Sequence, residues 1–599
     1  TDTKMSKLNT MTFTTLGLIG RRQASKPRDL LSSAIIRCVT CVLLLACSAT
    51  SAVVRAVEGT PYNLSGPMVE GGNAAVLSFT PYAISQDERY LVFSADKDQD
   101  EVIELYSVSL DGGTPVKLNS ALVAGGNVRS FYLSPNSDRV VYVADQELDE
   151  KFELYSVPIQ GGAVTKLNRS IPSTGDVNPD RVAIDSSGQF VVFAMRISTN
   201  PTGNIHSVPI TGPAPGDTDR ILSLRTAGNT GEAANFEITP DGTRVVFSGD
   251  LRVEGTVELY SNSIDGGDWR RLSPDSTSTT FESVFSFEVS PDSQFVAFTG
   301  DLETDGLPEL FIVPTNGGST HKVSGSLVAG GQVSNIFKFS PDSSHIVFSA
   351  AKRVMNIYEL FSVNVTQYPF DLNPVVTEQV TQNINTGGQV STDFKISADS
   401  QRVVYSADVT NNDRFQLFSN SMAGDDLTLM FFGMNEPNVS PLFDLSPDGQ
   451  TVVYRADSEP SVYQLYSVPV TGGTPQRING TFFIPTSDVG LHFLISNDGH
   501  KVAYLADQDE EGKQELYLSG IATLNGADNE KISQTDSPSS SQVLGFQLSH
   551  NATYAVFELR STLITGNTVT ELFATRLKAD ESFCVPIRSS NARVAVICL

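Results

Sequence analysis

The chain has 599 residues, of which 40% are hydrophobic and 18% charged, and its formal net charge is −27. It is long enough for a large packed core, and too long for one ordinary domain unless that domain is built of repeats. So acidic a surface repels nucleic acid and anionic lipid, and leaves basic proteins, cations and neutral ligands as candidate partners. The alternative is that the acidity only keeps a large β protein soluble.

Residues 1–54 have the features of a leader with a secretory signal peptide. Basic residues in segment 21–28 precede an apolar run at 41–46, and small residues follow at 48–52. This is the order of n-region, h-region and cleavage site. The apolar run is too short for a permanent membrane helix. We therefore expect an exported protein, periplasmic or extracellular, with no transmembrane span in the mature chain.

Two details of the leader leave alternatives open. The chain does not begin with methionine, so Met5 and Met11 are candidate starts. The segment Leu44-Leu45-Ala46-Cys47 resembles a lipoprotein attachment box, but Leu45 stands where a smaller residue is usual. We do not expect a lipid anchor at Cys47.

After the leader, Cys584 and Cys598 are the only cysteines. In an exported chain such a pair predicts one disulfide, which would pin the tail at residues 584–599. A metal site would need further ligands, and no His, Asp or Glu follows Cys584.

Residues 60–583 consist of ten copies of one unit of about 50 residues. The copy at residues 131–145 reads Phe-Tyr-Leu-Ser-Pro-Asn-Ser-Asp-Arg-Val-Val-Tyr-Val-Ala-Asp, and Glu-Leu-Tyr-Ser-Val, Gly-Gly and Lys-Leu-Asn follow it. Successive copies are offset by 49 to 57 residues. The position of Pro135 in this unit is occupied in chain order by Gln86, Pro135, Ser186, Pro240, Pro291, Pro341, Ala398, Pro447, Asn497 and His550.

Each unit contains four short segments with the period of two that is typical of β-strands. Pro-Asp-Gly or Pro-Asp-Ser predicts a tight turn between the first two strands, and Gly-Gly predicts another between the last two. No part of the mature chain has a sustained helical period. The sequence therefore predicts an all-β fold, a β-propeller of about ten four-stranded antiparallel blades.

The ends of the repeat region indicate how the ring closes. Residues 62–65 resemble a fourth strand with no blade before it, whereas the tenth unit has little obvious fourth strand of its own. Pairing the two would remove free strand edges. Segment 593–598 is a competing candidate for that place. One ring is our prediction; the alternative is two smaller rings, although no linker divides the repeats.

The unit Phe-x-Ile-Ser-Pro-Asp-Gly, Val-Val-Phe-Ser-Ala-Asp, Glu-Leu-Tyr-Ser-Val, Gly-Gly resembles the TolB-type propeller repeat, to which the propellers of prolyl oligopeptidase-like enzymes are related. The resemblance implies the fold and says little about function. TolB carries an amino-terminal domain before a six-bladed ring, and the peptidases carry a hydrolase domain; the sequence indicates neither. A Tol–Pal role and a peptidase activity are therefore not implied.

The usual catalytic motifs are missing from the sequence. We find no Gly-x-Ser-x-Gly, no His-Glu-x-x-His and no phosphate loop, and the mature chain has no Cys-x-x-Cys. The six histidines occupy unlike positions in different units. We therefore predict no catalytic residues and a protein that is not an enzyme.

Two acidic positions recur in most units, which predicts a local structural role. One is the aspartate that ends the second strand, and the other is the glutamate of Glu-Leu-Tyr. Acids present in only some units are better candidates for function. They lie in the loops between the second and third strands: Asp98, Asp100, Glu101, Asp149, Glu150, Asp305, Asp509, Glu510 and Glu511.

Alternation of strands places these loops and the connections between blades on one face of the ring. We call it the acidic loop face; it includes residues 96–103, 145–152 and the connection 118–127. The tight turns, such as residues 85–89, form the opposite turn face. Function on such scaffolds usually lies in variable loops, so we predict that the acidic loop face binds a protein or peptide. The alternating carboxylates Asp96, Asp98 and Asp100 are weak candidates for a calcium site.

Three functions compete at this point. The first is a non-catalytic binding scaffold, which we expect to be monomeric and to need no cofactor. The second is a glycan lyase or hydrolase with carboxylates near the central channel, where first strands place single charges of mixed sign at Glu237, Glu288, Lys338, Lys395 and Asp444. The third is a structural module stabilised by calcium.

Overall fold

All described residues belong to one compact unit, which lies within Val54–Leu599. The leader, the signal peptide and Cys47 lie outside the described residues. Residue numbers with a described backbone in this computed structural model are 59–78, 80–172, 175–196, 203–225, 231–274, 283–368, 375–381, 388–409, 414–430, 439–459, 462–534, 541–563, 565–577, 584–588 and 594–598.

Ten four-stranded antiparallel sheets form one ring, which confirms the predicted β-propeller; the alternative of two smaller rings is wrong. The only helical segment among the described residues is a short 3₁₀ turn, Leu524–Gly526. In the first five blades the strands are Tyr82–Ile84, Tyr90–Ala95, Glu104–Ser109 and Val116–Lys117; Val128–Leu133, Arg139–Ala144, Glu153–Pro158 and Thr165–Lys166; Asp176–Ile184, Phe190–Arg196, Asn204–Pro209 and Arg220–Ile221; Ala233–Ile238, Arg244–Gly249, Glu258–Ser263 and Arg270–Arg271; Val284–Val289, Phe295–Gly300, Glu309–Pro314 and His321–Lys322.

The remaining five blades have the same order, and the tenth takes its fourth strand from the start of the described chain. Their strands are Val333–Phe339, His345–Ala350, Glu359–Asn364 and Glu378–Gln379; Gln389–Ile396, Arg402–Asp408, Gln416–Ser421 and Thr428–Leu429; Val439–Leu445, Thr451–Glu459, Val462–Pro469 and Gln476–Arg477; Val489–Ile495, Lys501–Ala506, Glu515–Gly520 and Glu530–Lys531; Gln542–Leu548, Tyr554–Thr562, Thr568–Arg576 and Tyr62–Asn63.

The second strand of each blade is a continuous apolar run because a neighbouring blade covers each of its faces. In the second blade, residues 140–144 are fully buried. An aromatic pair links the second and third strands in most blades, as in Tyr142 and Tyr155, whose ring centroids are 5.3 Å apart. Such a pair adds about 0.5–1.5 kcal/mol beyond its buried area.

The hydrophobic core consists of separate clusters, each lying between two consecutive blades. The cluster of Leu77, Val92 and Leu105 with Val140 and Val157, for example, joins the first blade to the second. Since a blade shares its core with both neighbours, a single blade has no complete core of its own.

Polar contacts on the turn face also join neighbouring blades. The Asp87 amide donates to Ser137 Oγ of the next blade at 3.2 Å. Ser137 adopts a left-handed φ of 61°. Equivalent bonds join Asp241 to Ser293, Asp292 to Ser343 and Asp342 to Ser400.

The ring closes as predicted, between the first and last strands of the propeller. Tyr62 and Asn63 pair with Ala574 and Phe573 in the tenth blade. The Leu64 amide then donates to the carbonyl of Leu572 at 2.7 Å. Both leucines are fully buried in one cluster with residues of the first blade, so hydrogen bonds and apolar burial close the ring together.

The competing candidate for closure, near the end of the chain, forms its own hairpin instead. Cys584–Arg588 pairs with Val594–Cys598, and Cys584 lies directly opposite Cys598 in the backbone register. The disulfide remains a prediction. Within the described ranges, no helix has both the length and the apolar character needed to cross a membrane.

Leu64→Ala tests the closure. This leucine is fully buried, and truncation should leave a cavity and lower the free energy of unfolding by about 2–5 kcal/mol. Denaturant unfolding measures the loss, and limited proteolysis should show earlier cleavage in the tenth blade. Val116→Ala, at an exposed position, is the control; equal stability of the two variants would contradict the closure.

Candidate functional site

An aspartate at the end of the second strand ties the acidic loop face together. In the second blade, the Asp145 carboxylate accepts hydrogen bonds from the amides of Asn127 at 2.5 Å and Glu150 at 3.0 Å. One amide lies in the connection between blades and the other in the loop that follows Asp145. The same pair of bonds is made by Asp96, Asp250, Asp301 and Asp507. The predicted structural role of this recurrent aspartate is confirmed, and we call it the loop-clip aspartate.

The recurrent glutamate of Glu-Leu-Tyr anchors the outermost strand. Glu104 accepts hydrogen bonds from the Tyr106 hydroxyl at 2.9 Å and from Lys117 Nζ at 2.5 Å. Lys117 belongs to a fourth strand of only two residues, which has few backbone bonds of its own. The same kind of ion pair joins Glu153 to Lys166, Glu258 to Arg271, Glu309 to Lys322 and Glu515 to Lys531. The predicted local role of this glutamate is also confirmed.

The nine acids predicted to bind a partner are all exposed on the acidic loop face, in the loops of blades one, two, five and nine. The ring distributes them and does not gather them into one cluster. Three are already paired with lysine: Asp98 with Lys117 at 3.0 Å, Asp509 with Lys531 at 3.3 Å, and Glu510 with Lys513 at 3.7 Å.

Asp100 and Asp149 are the most constrained of the nine. Each carboxylate packs against a left-handed glycine of the preceding connection, Gly71 and Gly125. A Cβ atom at Gly125 would lie 2.7 Å from an oxygen of Asp149, so a side chain there would displace this carboxylate, and the φ of 87° also favours glycine. Glu101, Glu150, Asp305 and Glu511 are exposed, and none of them forms an ion pair with another described residue.

The weak calcium candidates do not form a ligand set. Both carboxylate oxygens of Asp96 accept backbone amides, and Asp98 pairs with Lys97 and Lys117. Within the described ranges, no three His, Cys, Asp or Glu side chains are grouped closely enough to hold a metal ion.

Apolar side chains on the acidic loop face were missed by the sequence analysis. Thirteen large apolar residues are exposed in the described part of the chain, and eight of them lie on this face, whereas Phe285, Leu442 and Leu491 lie on first strands. Phe483 is 82% exposed and Leu224 56%. The other six on this face are Val69, Leu148, Val253, Val354, Met355 and Leu563. An apolar residue in the middle of a loop otherwise made of polar residues was the available signal.

The charged residues of the first strands form a continuous arc around the channel in blades four to eight. Glu237 accepts the Val289 amide at 3.1 Å, and Glu288 accepts the Phe339 amide at 3.2 Å. Each of these bonds crosses to the next blade. The arc continues through ion pairs of Lys338 with Asp393 at 3.2 Å and Lys395 with Asp444 at 3.6 Å.

Two glutamates of this arc have perturbed ionisation. Burial raises the pKa of Glu237 to about 7. Burial likewise raises the pKa of Glu288 to about 7, and the neighbouring Glu237 adds to the effect. Such groups occur at functional sites, but they also occur in structural networks.

No protein-family model matches the chain, and no curated protein matches it. Several solved structures resemble it in part. A structure assigned to TolB from Agrobacterium tumefaciens is 18% identical, with a TM-score of 0.25; the match covers 42% of this chain and 79% of that one.

Two peptidase structures also match. For a prolyl endopeptidase the identity is 12% and the TM-score 0.34, over 64% of this chain and 55% of that one. For prolyl oligopeptidase B from Galerina marginata the identity is 9% and the TM-score 0.34, and the match covers 73% of this chain and 56% of that one. This chain therefore spans just over half the length of the peptidases that it matches. The predicted TolB-type propeller is confirmed at the level of the fold; the similarity carries no information on function.

Asp145→Ala should loosen the acidic loop face, because two partly buried amides lose their charged acceptor. We expect a loss of about 1–3 kcal/mol in the free energy of unfolding and faster hydrogen exchange of the Asn127 and Glu150 amides. Glu147→Ala, an exposed change in the same loop, is the control. Unchanged exchange in the Asp145 variant would show that the clip contributes nothing.

The glutamate pair predicts a dependence of stability on pH. The pKa of each is about 7 in the folded protein against an ordinary 4.5, so the unfolded chain releases these protons first and stability falls as pH rises from about 4.5 to 7. Glu237→Gln with Glu288→Gln keeps the acceptor oxygens but cannot ionise. The double variant should match the wild type at pH 4 and exceed it at pH 8 by roughly 1–3 kcal/mol. If the free energy of unfolding depends on pH in the same way in both proteins, the prediction is wrong. Glu101→Gln, at an exposed position, is the control.

Proposed function

We propose that the protein is an exported, non-catalytic scaffold whose acidic loop face binds a protein or peptide. The observation that supports this most directly is the concentration of exposed apolar side chains on that face. Exposed apolar residues that are scattered singly need no explanation, but their accumulation on one face is typical of an interaction surface.

The chemistry of the face suggests what the partner presents. Apolar side chains such as Phe483 and Leu224 are suited to act as anchors that are buried on binding. The surrounding carboxylates, among them Asp98, Asp100 and Glu511, would favour lysine and arginine at the rim of the interface and steer a basic partner. We therefore propose a partner with an apolar centre and a basic margin.

Export and the monomeric state are parts of this proposal that depend on sequence alone. The leader at residues 1–54 and the restriction of mature cysteines to Cys584 and Cys598 support a periplasmic or extracellular location. Size-exclusion chromatography with light scattering should give the mass of one mature chain.

The apolar anchors are tested by Phe483→Ser with Leu224→Ser. Binding of the partner captured from an extract of the native host should weaken at least tenfold, because each substitution removes about 1–3 kcal/mol of apolar burial. Binding is measured by surface plasmon resonance on the immobilised mature protein.

Val116→Ser with Val376→Ser provides the matched control. These are the two exposed valines that do not lie on the acidic loop face, so the control should keep full affinity. A second variant reverses charge at Asp98, Asp100, Glu510 and Glu511 and should slow association. If the serine variant and the charge variant both bind as the wild type does, the acidic loop face is not the binding surface.

A second candidate function is a lyase or hydrolase acting on glycans in the channel. The observation that favours it is the pair Glu237 and Glu288, since a carboxyl group with a pKa near 7 suits general acid–base catalysis. The glutamine double variant separates the candidates. An enzyme would lose turnover of anionic and neutral polysaccharides and keep its partners, whereas a scaffold would have no turnover to lose.

A further inference from the structure

The third blade departs from the repeat at the position of the loop-clip aspartate. Its second strand ends in Arg196, which pairs in register with Asp176. A guanidinium can only donate hydrogen bonds, so it cannot accept the two amides that an aspartate accepts there. Asp176 accepts the Phe152 amide at 3.2 Å and bonds Arg196 at 2.6 Å. In the third blade the residue that ends the second strand therefore donates a hydrogen bond to the first strand, whereas a loop-clip aspartate at this position accepts one.

A cavity of about 420 Å³ lies where the clip is absent. The tenth blade carries Arg560 at the same register position, and a second cavity of about 240 Å³ lies beside its neighbour Leu559. Two of the three blades without a loop-clip aspartate thus have a cavity at that point, which links the departure from the repeat to the open space.

A bulge in the first strand of the third blade supplies one wall of the larger cavity. Four residues, 178–181, stand opposite Ala194 alone. The Pro179 carbonyl accepts hydrogen bonds from Ser130 Oγ and from the Tyr132 hydroxyl, both at 2.7 Å. The second blade therefore holds the bulge in place, and with it Arg181, which lines the cavity.

Three arginines line this cavity in a chain with a large excess of acids. Among the described residues, no carboxylate lies within 4.0 Å of Arg129 or Arg181, and the buried Nε of Arg196 has no acceptor. Arg129 stacks over the Phe152 ring, with its Cζ 5.4 Å from the centroid. The remaining wall is mixed, because Asp176, Asn178 and Glu232 line it together with apolar residues such as Val177 and Met195.

We propose that this cavity binds a carboxylate attached to an apolar body. A guanidinium matches a carboxylate through two parallel hydrogen bonds, and Arg181 and Arg129 are both free to make them. The volume suits a small organic acid or the last residue of a peptide. The proposal does not depend on the proposed function, because it uses other residues and another ligand.

The methyl group of Met195 is a local probe for the test. Met195 is one of the residues that line the cavity, and its side chain is buried in the core beside it. The chain has only eight methionines, so methyl-labelled protein gives few signals and Met195→Leu assigns this one. N-acetylphenylalanine should shift the Met195 signal at a concentration at least tenfold lower than its uncharged amide does, since a charge-assisted pair is worth over 1.4 kcal/mol. Acetate and inorganic phosphate test the anion without the apolar body.

Arg181→Gln and Arg129→Gln should each raise the half-shift concentration of N-acetylphenylalanine about tenfold or more. Arg270→Gln, an exposed change in the fourth blade, should leave it unchanged. The buried Met430 signal reports that each variant is folded. Equal binding of the acid and the amide, or no shift with any probe up to its solubility, would overturn the proposal.

A peptide arm distinguishes the two sources of the carboxylate. Ala-Ala-Phe with a free carboxyl terminus is compared with N-acetylphenylalanine and with the Ala-Ala-Phe amide. Tighter binding of the free peptide assigns the cavity to a peptide terminus, and equal binding assigns it to a small acid. Binding of the peptide amide as tightly as the free peptide would contradict a carboxylate site.

Discussion

Every blade buries its second strand on both faces, and this burial requires a neighbour on each side. No blade is complete alone, so the stability of the whole ring depends on the contact where its ends meet. There Leu64 and Leu572 are buried in the same cluster as residues of the first blade. Free edges are removed in the same step. Closure also fixes the two faces, since all loops of one kind are then held on one side.

The carboxylates fall into two groups: those at positions repeated in most blades and those present in only some blades. At recurrent positions they saturate backbone amides or hold the short outer strands, as Asp145 and Glu104 do. At positions that do not recur, such as Asp305 and Glu511, they remain exposed. A net charge of −27 therefore does not describe the binding surface, because a large part of the acidity maintains the frame.

Regular features of the fold could be predicted from the sequence because each was repeated. Ten copies of the unit made the positions of strands and turns clear even where a single copy was ambiguous. The unpaired segment at residues 62–65 indicated how the ring closes. The apolar residues on the acidic loop face were not predicted. Phe483 and Leu224 have no fixed spacing from blade to blade, and their exposure depends on which side of the ring a connection crosses. The arc through Glu237 and Glu288 could not be predicted either, because it depends on the distances between neighbouring blades.

The electrostatic effects of the acidic loop face and of the cavity lined by Arg129, Arg181 and Arg196 extend over different distances. Long-range potential is screened over roughly 8 Å at physiological salt, so a distant ligand responds to the net acidity and an anion is repelled. The guanidiniums of Arg129 and Arg181 act only at contact. A free acid must therefore cross a repulsive field, whereas a chain with basic residues and a free carboxyl terminus is attracted first and bound second. On this physical ground a peptide terminus suits the cavity better than a small acid, and both sites could then be used by one partner.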